Sequence, residues 1–394
     1  MLKNIRAEYF LSTNPTEKRL ELLAYYTEKF GLAPSFKVAE SPLIASPEFQ
    51  KQVFEASYSL LNQVTTKEML TTGKNYVPQN VNLNGLSEQP ELWALDFAIC
   101  HNPESGYYPQ LVELQAFPSV MFFQFVAEEA YKQVYQLPAT WRASNPNYSL
   151  EDLKTLIKKE ILGQYNAEEV VLLDNLPHKQ RTYADLKITA DYLGIKLLSV
   201  HEIIEEDGFL YYQTETKKQP IKRIFNRLIL DEVENLTNSW LSKPLLHVEW
   251  VAHPAWFYKI SKAQLPYLKG DFVPYTDFLE NLSDNQLLNR LPHSVVKKIK
   301  GYASNGIMLN PTYTEIEHLN REEWLIQNKI DYAKLPLFYN EIKSKCELRM
   351  IFMQHNHEFI YVTNLVRQTT TELIGASKSN ASINSGTSIL YFNV

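Results

Sequence analysis

Apolar residues recur at i, i+3 and i+4 through EKRLELLAYYTEKFG, residues 17–31, which predicts an amphipathic helix closed by Gly31. FQKQVFEASYSLLNQV repeats the pattern, so residues 1 to about 75 are expected to be mostly helical. From residue 91 the period drops to that of strands: ELWALDFAIC and PQLVELQAF are apolar runs joined by the turn-rich HNPESGYY, and they read as a hairpin. An amphipathic helix returns over 150–163 and ends at Gly163. Strand and helix then alternate. AEEVVLLD is a buried strand, KQRTYADLKITADYLG a helix and IKLLSVHEI a second strand, with FLYYQT and QPIKRIFNRLIL as further strand candidates. This rhythm implies an α/β layer with a parallel component. WFYKISKAQLPYLKG predicts a short helix before FVPYTDFL. Beyond residue 293, HSVVKKIK, GIMLN, WLIQNKI, CELRMIFM, EFIYVTNLVR and TSILYFNV are short strands separated by turns, so the C-terminal end should be β-rich.

Composition narrows the class. A chain of 394 residues suggests two or three domains, and 45% hydrophobic with 21% charged residues excludes a disordered tail. Cys100 and Cys346 are the only cysteines, which rules out a disulfide framework and a four-cysteine zinc site. A net charge of −6 argues against a protein that coats nucleic acid, though not against a small basic pocket. No apolar run approaches a membrane span, and MLKNIRAEYF lacks a signal-peptide core, so a reduced, cytoplasmic, soluble protein is expected.

Three clusters have the residue types for chemistry. In SVVKKIKGYASNGIML, Gly301 and Gly306 bracket one turn between strands. There the backbone N–H groups can nest an anion, and Lys297 precedes them on the strand. The spacing is not that of a P-loop, and an ordinary hairpin with solvated lysines is the alternative. In the 91–117 hairpin, Asp96 lies on one strand and Glu113 and Gln115 share a face of the other. Their hard oxygens suit Mg²⁺ held against phosphate, the alternative being polar residues on a solvent face. In KCELRMIFM, Glu347 and Arg349 stand two apart, with Arg367 on a later strand, as a clamp for carboxylate or phosphate or as an outward-facing ion pair. His247, Glu249 and His253 lack metalloprotease spacing, and the basic run IKRIFNR reads as a strand with solvated edges.

Taken in order, these parts resemble the ATP-grasp superfamily. Lys262 before FVPYT resembles that family's helix lysine and the strand start after it. SVVKKIKGYASNGI is similar to its strand and glycine loop, and WLIQNKI to the hinge that receives adenine. ELRMIFM, and NLVR followed by ASINSG, are similar to its phosphate-facing arginine strands. The acidic metal-binding ending is absent from the C-terminus, and LDFAIC…LVELQAFPS, residues 95–119, resembles it far upstream. This order is similar to the circularly permuted arrangement of glutathionylspermidine-synthase-like proteins.

The fold so implied is α/β (α+β): a circularly permuted ATP-grasp core with a preceding small α/β domain. Residues 1–90 would be a helical N-terminal region, 91–130 a hairpin completing the core and 131–165 a helical connector. Residues 166–245 would form the small domain and 246–394 the ATP-grasp subdomains. By resemblance, Lys262 and Lys297 hold ATP phosphates under the loop of Gly301, Ser304 and Gly306, and Gln327 and Lys329 flank adenine. Asp96, Glu113 and Gln115 hold Mg²⁺, and Arg349 and Arg367 face phosphate. Lys298 stands where the family often has proline, Gln115 where it has asparagine and Gln327 where many members have glutamate. The implied activity is an ATP- and Mg²⁺-dependent ligase joining a peptide- or amino-acid-like carboxylate to an amine or thiol through an acyl phosphate. No nucleic-acid or membrane partner is implied. A small-molecule kinase, or a non-catalytic nucleotide-binding scaffold on the same core, is the alternative.

Overall fold

The computed structural model describes residues 14–234, 239–300, 306–336, 343–371 and 385–393. Gly301, Ser304 and the first four residues of ASINSG lie outside the described residues. In chain order, the elements that frame the site and its core are helices α1 (Pro15–Phe30) and α2 (Pro47–Val64), strands β1 (Leu92–Asn102) and β2 (Gly106–Gln115), and helices α3 (Met121–Tyr135) and α4 (Leu150–Leu162). Strand β3 (Val170–Asp174), helix α5 (Tyr183–Leu193), and strands β4 (Lys196–Ser199), β5 (Arg223–Asn226) and β6 (Glu249–Val251) follow. The C-terminal strands are β7 (Thr276–Phe278), β8 (Ser294–Lys298), β9 (Ile307–Leu309), β10 (Trp324–Asn328), β11 (Lys343–His355), β12 (Glu358–Thr369) and β13 (Gly386–Ser388). Local chemistry sets the helix ends. Asn14 caps α1 by accepting from Thr16 N, and Gly31, at φ 73°, returns its N–H to Thr27.

The largest sheet is antiparallel, in the order β13–β12–β11–β1–β2, with Leu335–Pro336 also pairing β11. The hairpin β1–β2 therefore shares one sheet with strands some 250 residues later, through the register Arg349↔Asp96. Helices α2 and α3 and the large sheet contribute Phe49, Phe122, Phe125 and Phe352 to one continuous apolar core. A second sheet is wholly parallel, in the order β6–β5–β3–β4, with α5 as the β3-to-β4 crossover. A third, β7–β10–β8–β9, is antiparallel and has its own small core around Leu279, Val296 and Ile326.

Two segments depart from the pattern read along the chain. WFYKISKAQLPYLKG is a single helical turn, Trp256–Lys259, and a separate 3₁₀ turn, Lys262–Tyr267. Ser261 starts a new capping box there, and Pro266 has no N–H to continue an α-helix. QPIKRIFNRLIL divides: Lys218–Ile221 pairs with Phe209–Gln213, and Arg223–Asn226 enters the parallel sheet.

Candidate functional site

The site begins as a row across the large sheet. Asp96 on β1 stands opposite Glu113 on β2 and Arg349 on β11, and Glu347 on β11 stands opposite Arg367 on β12. Alternation sets Glu347 and Arg349 on the same face, and opposite the Asp96–Phe97 step β2 bulges, with Val112 as its extra residue. Arg349 grips Asp96 with both prongs, Nε to Oδ1 at 2.7 Å and Nη2 to Oδ2 at 2.7 Å. Arg367 donates to Asp96 Oδ2 and to Glu347 Oε1, and Tyr332 Oη donates to Glu347 Oε2 at 3.1 Å. Burial alone would push the Asp96 carboxyl up; the guanidiniums of Arg349 and Arg367 reverse this and hold it below the usual carboxylate range. Burial keeps the Glu347 carboxyl raised, against the pull of Arg367.

Lys297 lies beside this row. Its buried Nζ donates to Gln327 Oε1 at 2.6 Å and to Val112 O at 3.1 Å, and Gln327 Nε2 donates to Thr276 Oγ1 at 3.1 Å. An ammonium only donates, so the Gln327 oxygen must face Lys297. Burial brings the Lys297 pKa down to about 8, with Glu113 the largest opposing influence. A cleft of about 680 Å³ opens here, walled by Val112, Val295, Ile307, Leu309 and Ile330, with Lys297, Gln327, Lys329, Lys345 and Glu347 as polar groups. The cleft thus sets apolar walls beside a desolvated cation.

A second cleft of about 1740 Å³ adjoins along β2, where Val112 lines the first and Glu113 the second. Lys179, Arg181, Arg227, Lys262 and Lys300 line it with Arg349 and Arg367, against Glu113, Asp174 and Glu232. Its far wall is the carboxyl edge of the parallel sheet. The chain leaves β3 for β4 on one side, and β5 lies on the other, so the gap between β3 and β5 is a topological switch point. Asp174 ends β3 there, and Arg227 immediately follows β5.

Burial raises the Asp174 carboxyl to about 6, although Arg227, Asn175 N and Gln180 all favour its charged form. The Arg227 guanidinium lies 5.2 Å from the Phe117 ring centroid and donates to Pro118 O. Its buried Nε has no hydrogen-bond partner among the described residues. The loop between β2 and α3 carries strain, since Val120 adopts φ 64°. Asp185 holds it by accepting from Val120 N at 3.0 Å and Phe123 N at 3.0 Å.

Asp96, Glu113, Lys297, Arg349 and Arg367, distant in sequence, meet at one place, and Lys262 joins them through Glu113 Oε2 at 3.8 Å. Gln115 lines the larger cleft and Lys329 the smaller. Gly306 keeps φ 75°, and a Cβ there would meet the Lys298 Cβ at 2.7 Å, so this turn requires glycine. Two alternatives give way: the ion pairs of Glu347, Arg349 and Arg367 face inward, and Arg227 of IKRIFNR is a cleft residue beyond a buried strand, not part of a solvated edge. Asp174, Arg227 and Asp185 were not singled out from the chain. The available signal was an acid ending one parallel strand and an arginine following another.

The donors fit a metal in part. Glu113 and Gln115 offer hard oxygens to the larger cleft, enough for an ion carried mainly by phosphates. Asp96 is committed to two guanidiniums and does not line the cleft. Among the described residues no three Asp, Glu, His or Cys side chains form a metal-holding group.

The protein has a mixed α/β fold, consistent with an ATP-grasp-like architecture in its likeness to a solved structure. A solved structure similar to it is that of a glutathione synthetase-like effector, GSS30, from Globodera pallida in its apo form. The TM-score is 0.58 at 11% identity, covering 91% of this chain and 96% of that one, a likeness of fold. No family model and no curated protein sequence matches the chain. No helix among the described residues is long and apolar enough to cross a membrane.

Proposed function

We propose that this protein is an ATP- and Mg²⁺-dependent ligase that joins a carboxylate to an amine or thiol. The observation that carries the reading is the junction of the two clefts. An apolar pocket with a buried lysine opens beside a basic cleft, and Glu113, Arg349 and Arg367 stand where they meet. Activating a carboxylate as an acyl phosphate requires a nucleotide phosphate and an acid to be held end to end among cations.

Lys297 and Lys262 would neutralise the transferring phosphoryl group, and Arg349 and Arg367 would face the nucleotide's phosphate and the acyl phosphate formed by its transfer. Arg227, which lines this cleft, suits a second anionic group of the acid. Asp174 beside it suits an ammonium, so an amino-acid- or peptide-like acid matches the pair. Bound with the nucleotide, Mg²⁺ would supply charge neutralisation and orientation, held by Glu113 and Gln115. The domain division at 91–130, 166–245 and 246–394 belongs to this reading, as does Lys329 beside the base.

A non-catalytic nucleotide-binding role is the second reading, favoured by the commitment of Asp96 to arginines. Incubation with ATP, Mg²⁺ and a panel of amino acids and dipeptides separates the possibilities. A ligase releases ADP and phosphate only when acid and amine are both present, and leaves an amide. A kinase leaves a stable phosphoester, and a scaffold leaves ATP intact.

A further inference from the structure

On the ligase reading above, we infer that Asp96 is the positioning carboxylate for Arg349 and Arg367 and not a ligand of the nucleotide's magnesium, which falls to Glu113 and Gln115. A carboxylate offers about four lone-pair directions. On Asp96, three are taken by guanidinium N–H groups, two from Arg349 and one from Arg367. Asp96 is 1% exposed on a strand paired along both edges, and it does not line the cleft.

Charge points the same way. Asp96 and Glu347 balance Arg349 and Arg367, so this quartet is neutral without a cation. A divalent ion seated on Asp96 would have to displace a bidentate, desolvated guanidinium and strand it in the core. Glu113 carries no guanidinium ion pair: its side chain is partly exposed, and its contact to Lys262 is 3.8 Å. With Gln115 two residues on, it presents two oxygens from one strand face to the cleft. Asp96 acts through what it holds, fixing both arginines with their remaining N–H groups toward the cleft.

Calorimetric titration of ADP at a series of Mg²⁺ concentrations tests this without turnover. Glu113→Gln should raise the Mg²⁺ concentration that half-supports ADP binding by about tenfold or more, and Asp96→Asn should leave it within about twofold while weakening ADP binding throughout. A tenfold shift in Asp96→Asn, matching Glu113→Gln, overturns the inference. If Asp96→Asn does not fold, Arg349→Lys decides, because lysine frees an Asp96 oxygen. The Mg²⁺ midpoint should stay put as ADP binding weakens, and a midpoint that falls overturns the inference. A wild-type protein that binds no ADP at any Mg²⁺ concentration overturns the ligase reading itself, and the inference with it.

Discussion

Lys297 Nζ sits 2.6 Å from Gln327 Oε1, and the Gln327 amide nitrogen donates in turn to Thr276. A neutral amide thus meets a buried ammonium where a carboxylate would have cancelled its charge. The charge stays available to an anion, and burial brings the lysine to about pKa 8. Affinity for ADP should therefore be level below pH 8 and fall as Lys297 loses its proton above it. Titrations between pH 6.5 and 9.5 would reveal the break. An affinity flat across that range would contradict a role for this ammonium.

Gln327→Glu changes the sign of that environment. A carboxylate against Nζ should move the break upward by about one to three pH units and weaken ADP binding at pH 7. The same titrations read both effects. An unmoved break would mean that another group sets it.

Removing Lys297 separates function from stability. Below pH 8, holding this ammonium in the fold costs on the order of 3 kcal/mol, and the penalty fades from pH 8 to 10.5 because the unfolded chain there binds the extra proton. Lys297→Met removes it but leaves Val112 O and Gln327 Oε1 without their donor, about 1–3 kcal/mol each. The two nearly cancel. The melting temperature should stay within a few degrees of wild type while ADP binding is lost, and differential scanning calorimetry checks this.

Asp174 and Arg227 should govern the acid substrate and not the nucleotide. Burial raises the Asp174 carboxyl to about 6, so it is charged above that pH and neutral below. The KM for an ammonium-bearing substrate should rise as pH falls through 6, and this dependence should vanish in Asp174→Asn. Arg227→Gln should raise the KM for the acid about tenfold or more and leave the KM for ATP unchanged, as expected for loss of one charge-assisted contact. Equal rises in both would contradict the assignment.

Asp185 holds the strained Val120 turn by two backbone N–H groups. Asp185→Ala should destabilise the fold by about 2 kcal/mol, read by urea unfolding, because both donors are buried at the start of α3. The turn carries Ser119 into the cleft, so the KM for the acid should rise as well.

Much of the architecture is legible along the chain because single elements announce it. The period change at residue 91, the Pro/Gly/Ser turn of the hairpin and the βαβ rhythm after 166 all survive in the structure. The kinship of the 91–117 hairpin with the C-terminal strands came from resemblance in motif order; the register Arg349↔Asp96 is its physical form. What the chain hides is pairing. Glu347, Arg349 and Arg367 look the same whether they face water or one another, since alternation sets a face and not what covers it. Arg227 reads as one basic residue among several until β5 is aligned beside β3. Nor does the chain reveal that two guanidiniums occupy the oxygens of Asp96.

Titration of wild-type protein and Lys297→Met with Mg²⁺–ATP is the most direct test of the central claim, that the cleft around Lys297 is a nucleotide site facing a substrate cleft. One site per chain in the wild type, lost in a Lys297→Met variant that still melts cooperatively, is the predicted result. No binding to the wild type, or binding unchanged by the substitution, would contradict it.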